Sequence, residues 1–156
     1  MNTLRNKNQK GFTLIELLVV IAIIGLLASV VLLALNSARA KSRDAKRLAD
    51  VRQLASAFEL FYNDASAYPS AGYASAAKLG TAATSATFGA ATFLLTPTYV
   101  GLVPQAPTPA DTGCTTAQND YNYQSSGSSY TLTFCLGAAT GGYSAGVRTL
   151  TPAGIQ

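Results

Sequence analysis

One stretch of this chain limits its folding options more than any other. From Phe12 to Leu35 the sequence is apolar for 24 residues, broken only by Thr13, Glu16, Gly25 and Ser29. At about 1.5 Å per residue, a helix of that length is roughly 36 Å long and can span a bilayer core of about 30 Å. Nothing else in the chain could cross a membrane. The run is too long for a secretory h-region of roughly 7–15 residues, although Ala38-Arg39-Ala40 offers small residues at a cleavage position. A plain membrane anchor is the other simple reading. Glu16 sets this stretch apart from both, because a carboxylate inside an apolar span is costly unless it has a partner.

A partner exists if the chain is cut after Gly11. Cleavage frees an α-amine on Phe12, four residues before Glu16. In a bundle of identical helices, the amine of one copy can sit beside Glu16 of the next and neutralise both charges. Only correctly staggered copies would form the pair, so the carboxylate would act as a register device.

Charge and composition exclude several functions. Nine of the eleven basic residues lie in positions 1–52, and from Ala65 onward Lys78, Arg148, Asp111 and Asp120 sum to zero. The folded part therefore lacks the cationic face that nucleic-acid binding requires. The chain has no His, which removes Ser-His-Asp triads, Cys-His dyads and the usual zinc sites. No catalytic residues are identified, and an enzyme is not expected.

The segment Lys10-Gly11-Phe12-Thr13-Leu14-Ile15-Glu16, behind a short basic leader, resembles the processing site of type IV pilins and of type II secretion pseudopilins. The resemblance continues through Leu17–Ser29 and more loosely to Tyr68-Pro69, about 60 residues in all. It implies cleavage between Gly11 and Phe12 by a membrane prepilin peptidase and N-methylation of Phe12. It also implies an assembly role for Glu16 in a helical homopolymer. The implied partners are copies of the chain itself, the peptidase, inner-membrane assembly machinery and membrane lipid. The implied location is the bacterial inner membrane, single-pass with the C-terminal domain outside the cytoplasm, followed by an extracytoplasmic filament. The kink-forming Pro of many type IV pilins is missing from Phe12–Leu35, which favours a pseudopilin. Gly25 is then either a weak point in the helix, at about 1 kcal/mol relative to Ala, or a small residue for close helix contact. The alternatives are a minor pilin that binds a surface or DNA and an anchored exported domain that never polymerises.

One count opposes that topology. Arg39, Lys41, Arg43, Lys46 and Arg47 follow the apolar run, against Arg5, Lys7 and Lys10 before it, and basic residues usually mark the cytoplasmic side.

Past the apolar run, Leu48, Val51, Leu54, Phe58 and Phe61 recur at helical spacing, while Lys46, Asp50, Arg52 and Gln53 occupy the opposite face. One helix of about 50 residues is expected, stopped by Asn63, Asp64 and Tyr68-Pro69. Its stripe is expected to cover a small sheet; a coiled-coil seam is the alternative. Asp44/Arg47 and Lys46/Asp50 can pair at helical spacing for a few tenths of a kcal/mol each, and Arg39–Arg52 reads as a solvated charged face, with contact to lipid headgroups or to an acidic surface of a neighbouring copy as the alternative.

Ser70–Ala91 reads as a surface loop with one short helix ending in Thr92-Phe93-Leu94-Leu95 before Pro97, and the Pro-rich stretch from Tyr99 to Gly113 as a connector. Tyr121–Gln124, the strictly alternating Tyr130–Leu136 and Tyr143–Leu150 read as strands. The expected fold is α+β and pilin-like: a long N-terminal helix packed on an antiparallel sheet of about three strands. The segments are leader 1–11, membrane and polymerisation helix 12–35, amphipathic continuation 36–64, loop and connector 65–120, and sheet 121–156.

Cys114 and Cys135 are the only thiols. They are not spaced as a redox pair and cannot complete a zinc site alone. A disulfide closing about 20 residues suits an exported domain, and two free buried thiols are the alternative. Some pseudopilins hold calcium in a loop near the sheet, which takes six to eight oxygens. Asp111 and Asp120, with Asn119 nearby, fall short of that set. They read as turn residues, and no cofactor or metal is expected.

Overall fold

The computed structural model describes residues 11–70, 76–79, 85–88 and 91–156. The chain divides into two compact units, Met1–Ala38 and Arg39–Gln156. Helix α1, Leu14–Ala65, begins in the first and ends in the second. Strand β1 is Ala77–Lys78, β2 Ser85–Phe88 and β3 Ala91–Leu94. The short helix α2, Thr116–Asn119, precedes β4 (Asn122–Ser125), β5 (Tyr130–Leu136), β6 (Gly146–Thr151) and β7 (Gly154–Ile155).

In the first unit, α1 has no buried apolar side. Leu14, Leu18, Ile21, Leu26, Val30 and Leu33 are all exposed, on every side of the helix. It is the one helix among the described residues long and apolar enough to cross a membrane.

The second unit is built on an antiparallel sheet in the order β1-β4-β5-β6-β7. The three expected strands form its centre, and short strands at each edge bring the total to five. The register pairs Tyr123 with Leu132 and Leu132 with Leu150, which puts all three on one face. That face meets the helical stripe: Leu48, Val51, Leu54, Phe58 and Phe61 are buried with Tyr123, Tyr130, Leu132, Phe134 and Leu136 in one core. The helix therefore covers the sheet within this unit. Ring contacts knit the two layers, with Phe58 4.9 Å from both Tyr123 and Tyr130.

The expected short helix before Pro97 is replaced by strand pairing, with β2 and β3 forming a separate two-stranded sheet. Ser85-Ala-Thr-Phe88 and Ala91-Thr-Phe-Leu94 carry Thr and Phe, which favour a pleated surface over a helix. The remainder of the expected loop, 71–75, 80–84 and 89–90, lies outside the described residues.

Helix α1 ends with Ser66 at φ 51°, a left-handed terminating residue, and Ser66 N donates to Tyr62 O at 2.8 Å. Tyr68 N then donates to Gly127 O at 2.7 Å, tying the helix exit to the β4–β5 turn. Gly127 has φ +88°, a value that the turn reaches without strain only with glycine.

Candidate functional site

Two groups of residues carry functional interest: the start of α1, and an ionic cluster buried where α1 meets the Pro-rich connector.

At the helix start, Thr13 is the N-cap. Glu16 Oε2 accepts from Thr13 N at 2.9 Å and Thr13 Oγ1 at 2.8 Å, and Glu16 N donates to Thr13 Oγ1 at 3.3 Å. This is a reciprocal capping box, which satisfies backbone donors that an α-helix leaves open. The Thr-x-x-Glu pattern at 13–16 announces the box in the sequence, where attention to the Glu16 charge passes over it. Phe12 is 84% exposed, and Gly11 has no neighbour within 4 Å of where a Cβ would stand. Both flank the expected cut. The one other hydroxyl of the apolar run is also locally satisfied, since Ser29 Oγ donates to Leu26 O at 2.7 Å. Gly25 sits within unbroken helix with nothing packed on it.

The second group corrects the reading of Arg39–Arg52 as a solvated charged face at three of its residues. Asp44 and Arg47 are fully buried and Asp50 nearly so. Arg47 Nη1 donates to Asp44 Oδ1 at 2.7 Å and to Asp111 Oδ2 at 2.6 Å. Its Nη2 donates to Asn119 Oδ1 at 2.5 Å and to Pro107 O at 3.2 Å. Asp44 also holds the backbone just past β5, accepting from Gly137 N at 3.0 Å and Ala138 N at 2.9 Å. Arg43 grips Asp111 through Nε and Nη2. Two guanidinium groups and two carboxylates thus cancel in a place where one unpaired charge is not tolerated. Burial pushes the Asp111 carboxyl up, but the hydrogen bonds and charges of Arg43 and Arg47 outweigh it and hold it below the usual carboxylate range.

Local sequence explains how the connector reaches in. Thr115 caps α2, with its own capping box to Gln118, and α2 delivers Asn119 to Arg47. A Cβ on Gly137 would stand 2.2 Å from Asp111 Cβ, so glycine is what lets the connector lie this close. Cys114 N donates to Asp111 O at 3.0 Å, and Cys114 is joined by a disulfide to Cys135 of β5. The covalent bond thereby links the segment that supplies Asp111 to the strand that leads into Gly137.

Asp111 and Asp120 do not converge. Asp111 faces the two guanidinium groups, and Asp120 pairs with Lys78 at 2.8 Å. No group of three or more acidic, His or Cys side chains suited to a metal occurs among the described residues.

The acids further along α1 bind tyrosines. Tyr121 Oη donates to Asp50 at 2.8 Å, Tyr68 Oη to Glu59 at 3.0 Å, and Tyr99 Oη to Asp64 at 2.8 Å. Burial and then the partner carboxylate raise all three phenols, Tyr68 to about 12.

Comparison with known proteins singles out the same N-terminal region. Residues 6–32 match the family described as the prokaryotic N-terminal methylation motif. Type II secretion system core protein G of Klebsiella michiganensis is 41% identical over 66 residues, 42% of this chain and 46% of that protein. The protein of the same name from Escherichia coli K12 is 41% identical over 61 residues, 39% of this chain and 42% of its own. That of Vibrio cholerae is 38% identical over 63 residues, 40% of this chain and 43% of its own. The chain spans less than half the length of these curated relatives. No solved structure matches it.

Proposed function

We propose that this chain is a prepilin-type structural subunit of a filament related to the type II secretion pseudopilus. In this reading a prepilin peptidase cuts between Gly11 and Phe12, and Phe12 is N-methylated. The chain waits in the inner membrane with residues 12–35 as its span and the remainder outside the cytoplasm. It then polymerises with copies of itself through that helix. The protein is then a building element rather than a catalyst.

The observation that carries this reading is the pairing of a prokaryotic methylation motif with a helix apolar and exposed on all sides. Such a surface needs lipid or other helices around it. The likeness to type II secretion core proteins selects helices of the same kind as the final environment. Past the span, three of the five basic residues are paired with carboxylates in the folded chain. Arg43, Lys46 and Arg47 are neutralised by Asp111, Asp50 and Asp44, leaving Arg39 and Lys41 free on that side among the described residues.

Glu16 has two separable roles, a cap on its own helix and a charge for the neighbour's amine. Glu16→Gln separates them, since a capping box accepts Gln but a register charge does not. In a host with the assembly machinery, Glu16→Gln is expected to insert normally and yield no sheared filament. Thr13→Ala weakens the cap, keeps the carboxylate, and is expected to assemble. Wild-type filament yield from Glu16→Gln would reduce Glu16 to a helix cap.

A further inference from the structure

We propose that Arg39 and Lys41 form a binding collar for anionic phospholipid headgroups at the end of the membrane helix. This rests on the reading of residues 12–35 as a membrane span.

Three observations lead to it. The first is selective pairing. Of the basic residues at 39–47, Arg43, Lys46 and Arg47 have carboxylate partners, whereas no ion pair or hydrogen bond engages Arg39 or Lys41 among the described residues. Both are exposed. The second is position. Arg39 and Lys41 come four and six residues after Leu35, or roughly 6 and 9 Å along a helix at about 1.5 Å per residue. With an apolar core of about 30 Å in a bilayer of about 40–45 Å, the headgroup layer is about 5–7.5 Å deep on each side; Arg39 stands within it, and the long Lys41 side chain reaches back to it from just outside. The third is the absence of competing acid. Between Glu16 and Glu59, the acids are Asp44 and Asp50, both buried and already partnered. The helix therefore shows only positive charge at headgroup level.

Geometry favours lipid over a docked protein. At roughly 100° per residue, Arg39 and Lys41 point about 200° apart around the helix. A partner protein on one face meets one of them. Lipid headgroups surround the helix and meet both. Phosphate oxygens suit the guanidinium fork and the ammonium equally well. The collar would fix the depth of the unassembled subunit, and the contacts would be lost when it leaves the membrane for a filament.

The test uses the full chain in nanodiscs of mixed phosphatidylcholine and phosphatidylglycerol, with retained lipid read by native mass spectrometry. Phosphatidylglycerol is expected to be retained over phosphatidylcholine. Arg39→Gln and Lys41→Gln should each lower that preference roughly fivefold, from about 1 kcal/mol per basic residue at an anionic surface. Soluble glycerol phosphate should not displace the retained lipid. Insertion with equal retention of both lipids would overturn the collar and leave the membrane span intact. Failure to insert into nanodiscs of either lipid would overturn the span itself. Preference unchanged in the double variant would also overturn the collar.

Discussion

Arg47, in the middle of α1, places its Nη1 2.6 Å from Oδ2 of Asp111, which lies 64 residues further along the chain. Neither side chain has meaningful contact with solvent. This pair fixes the Pro-rich connector on the helix, and Asp44 extends it to the backbone after β5.

Removing one partner leaves a buried charge behind. Asp111→Ala is expected to destabilise the full chain in detergent by about 3–5 kcal/mol, measured by denaturant unfolding. The pH dependence follows in sign. The ordinary value for this carboxyl is 3.8, and the folded value is lower. Its contribution is therefore complete above the unfolded value and is lost as pH falls through the folded one. Stability should be flat down to about pH 5 and decline below about pH 4, with a shallower decline in Asp111→Asn.

The tyrosines give the opposite sign. Tyr68 is raised from 10.0 to about 12 by burial and then by Glu59, and Tyr99, Tyr121 and Tyr130 are raised as well. Their contribution is present below the unfolded value and disappears as pH rises through the folded one. Phenolate absorbance of the folded chain should lag that of the denatured chain between about pH 10 and 12. Glu59→Gln should advance the Tyr68 portion.

Two glycines should respond in opposite ways. Gly137→Ala forces a new carbon to 2.2 Å from Asp111 Cβ, an atom that no rotamer change can move away. A loss of about 1–3 kcal/mol is expected, because the segment carrying the Asp44 donors must shift. Gly25→Ala meets nothing within 4 Å and should strengthen α1 by about 1 kcal/mol. If Gly25→Ala inserts but no longer assembles, Gly25 serves the filament rather than the subunit.

The Cys114–Cys135 disulfide closes a separation of 21 residues beside the ionic cluster. Cys114→Ser with Cys135→Ser is expected to cost about 2–4 kcal/mol in the same unfolding assay. Proteolysis of the variant should begin in the Pro-rich connector around Asp111, because the link that holds Asp111 near Gly137 is gone.

Period and alternation made much of this fold legible. The stripe Leu48-Val51-Leu54-Phe58-Phe61 names the buried face of α1, and Tyr130-Leu132-Phe134-Leu136 names the face of β5 that meets it. Local signals of that kind cannot show a partner that lies far away in sequence. Asp44 and Arg47 look like an ordinary i,i+3 surface pair until Asp111 and Asn119 arrive from the connector. Edge strands of two residues, such as β1 and β7, carry too little pattern to be read. The β2–β3 pair was obscured by alanines, which suit a helix as well as a loop. At the candidate site, Gly11, Phe12 and Glu16 stood out by residue type and spacing. The second role of Glu16, as a cap partner of Thr13, is written in the Thr-x-x-Glu spacing, but the unusual charge in an apolar run draws attention away from it.

The central claim is that the chain is processed as a prepilin and then assembled. The most direct measurement is the intact mass and N-terminal sequence of the protein recovered from membranes and sheared filaments. The account predicts a chain that begins at N-methylated Phe12 and carries one disulfide. A chain still beginning at Met1 in a host with active prepilin peptidase would contradict it, as would a start near Ser42 left by signal-peptide cleavage.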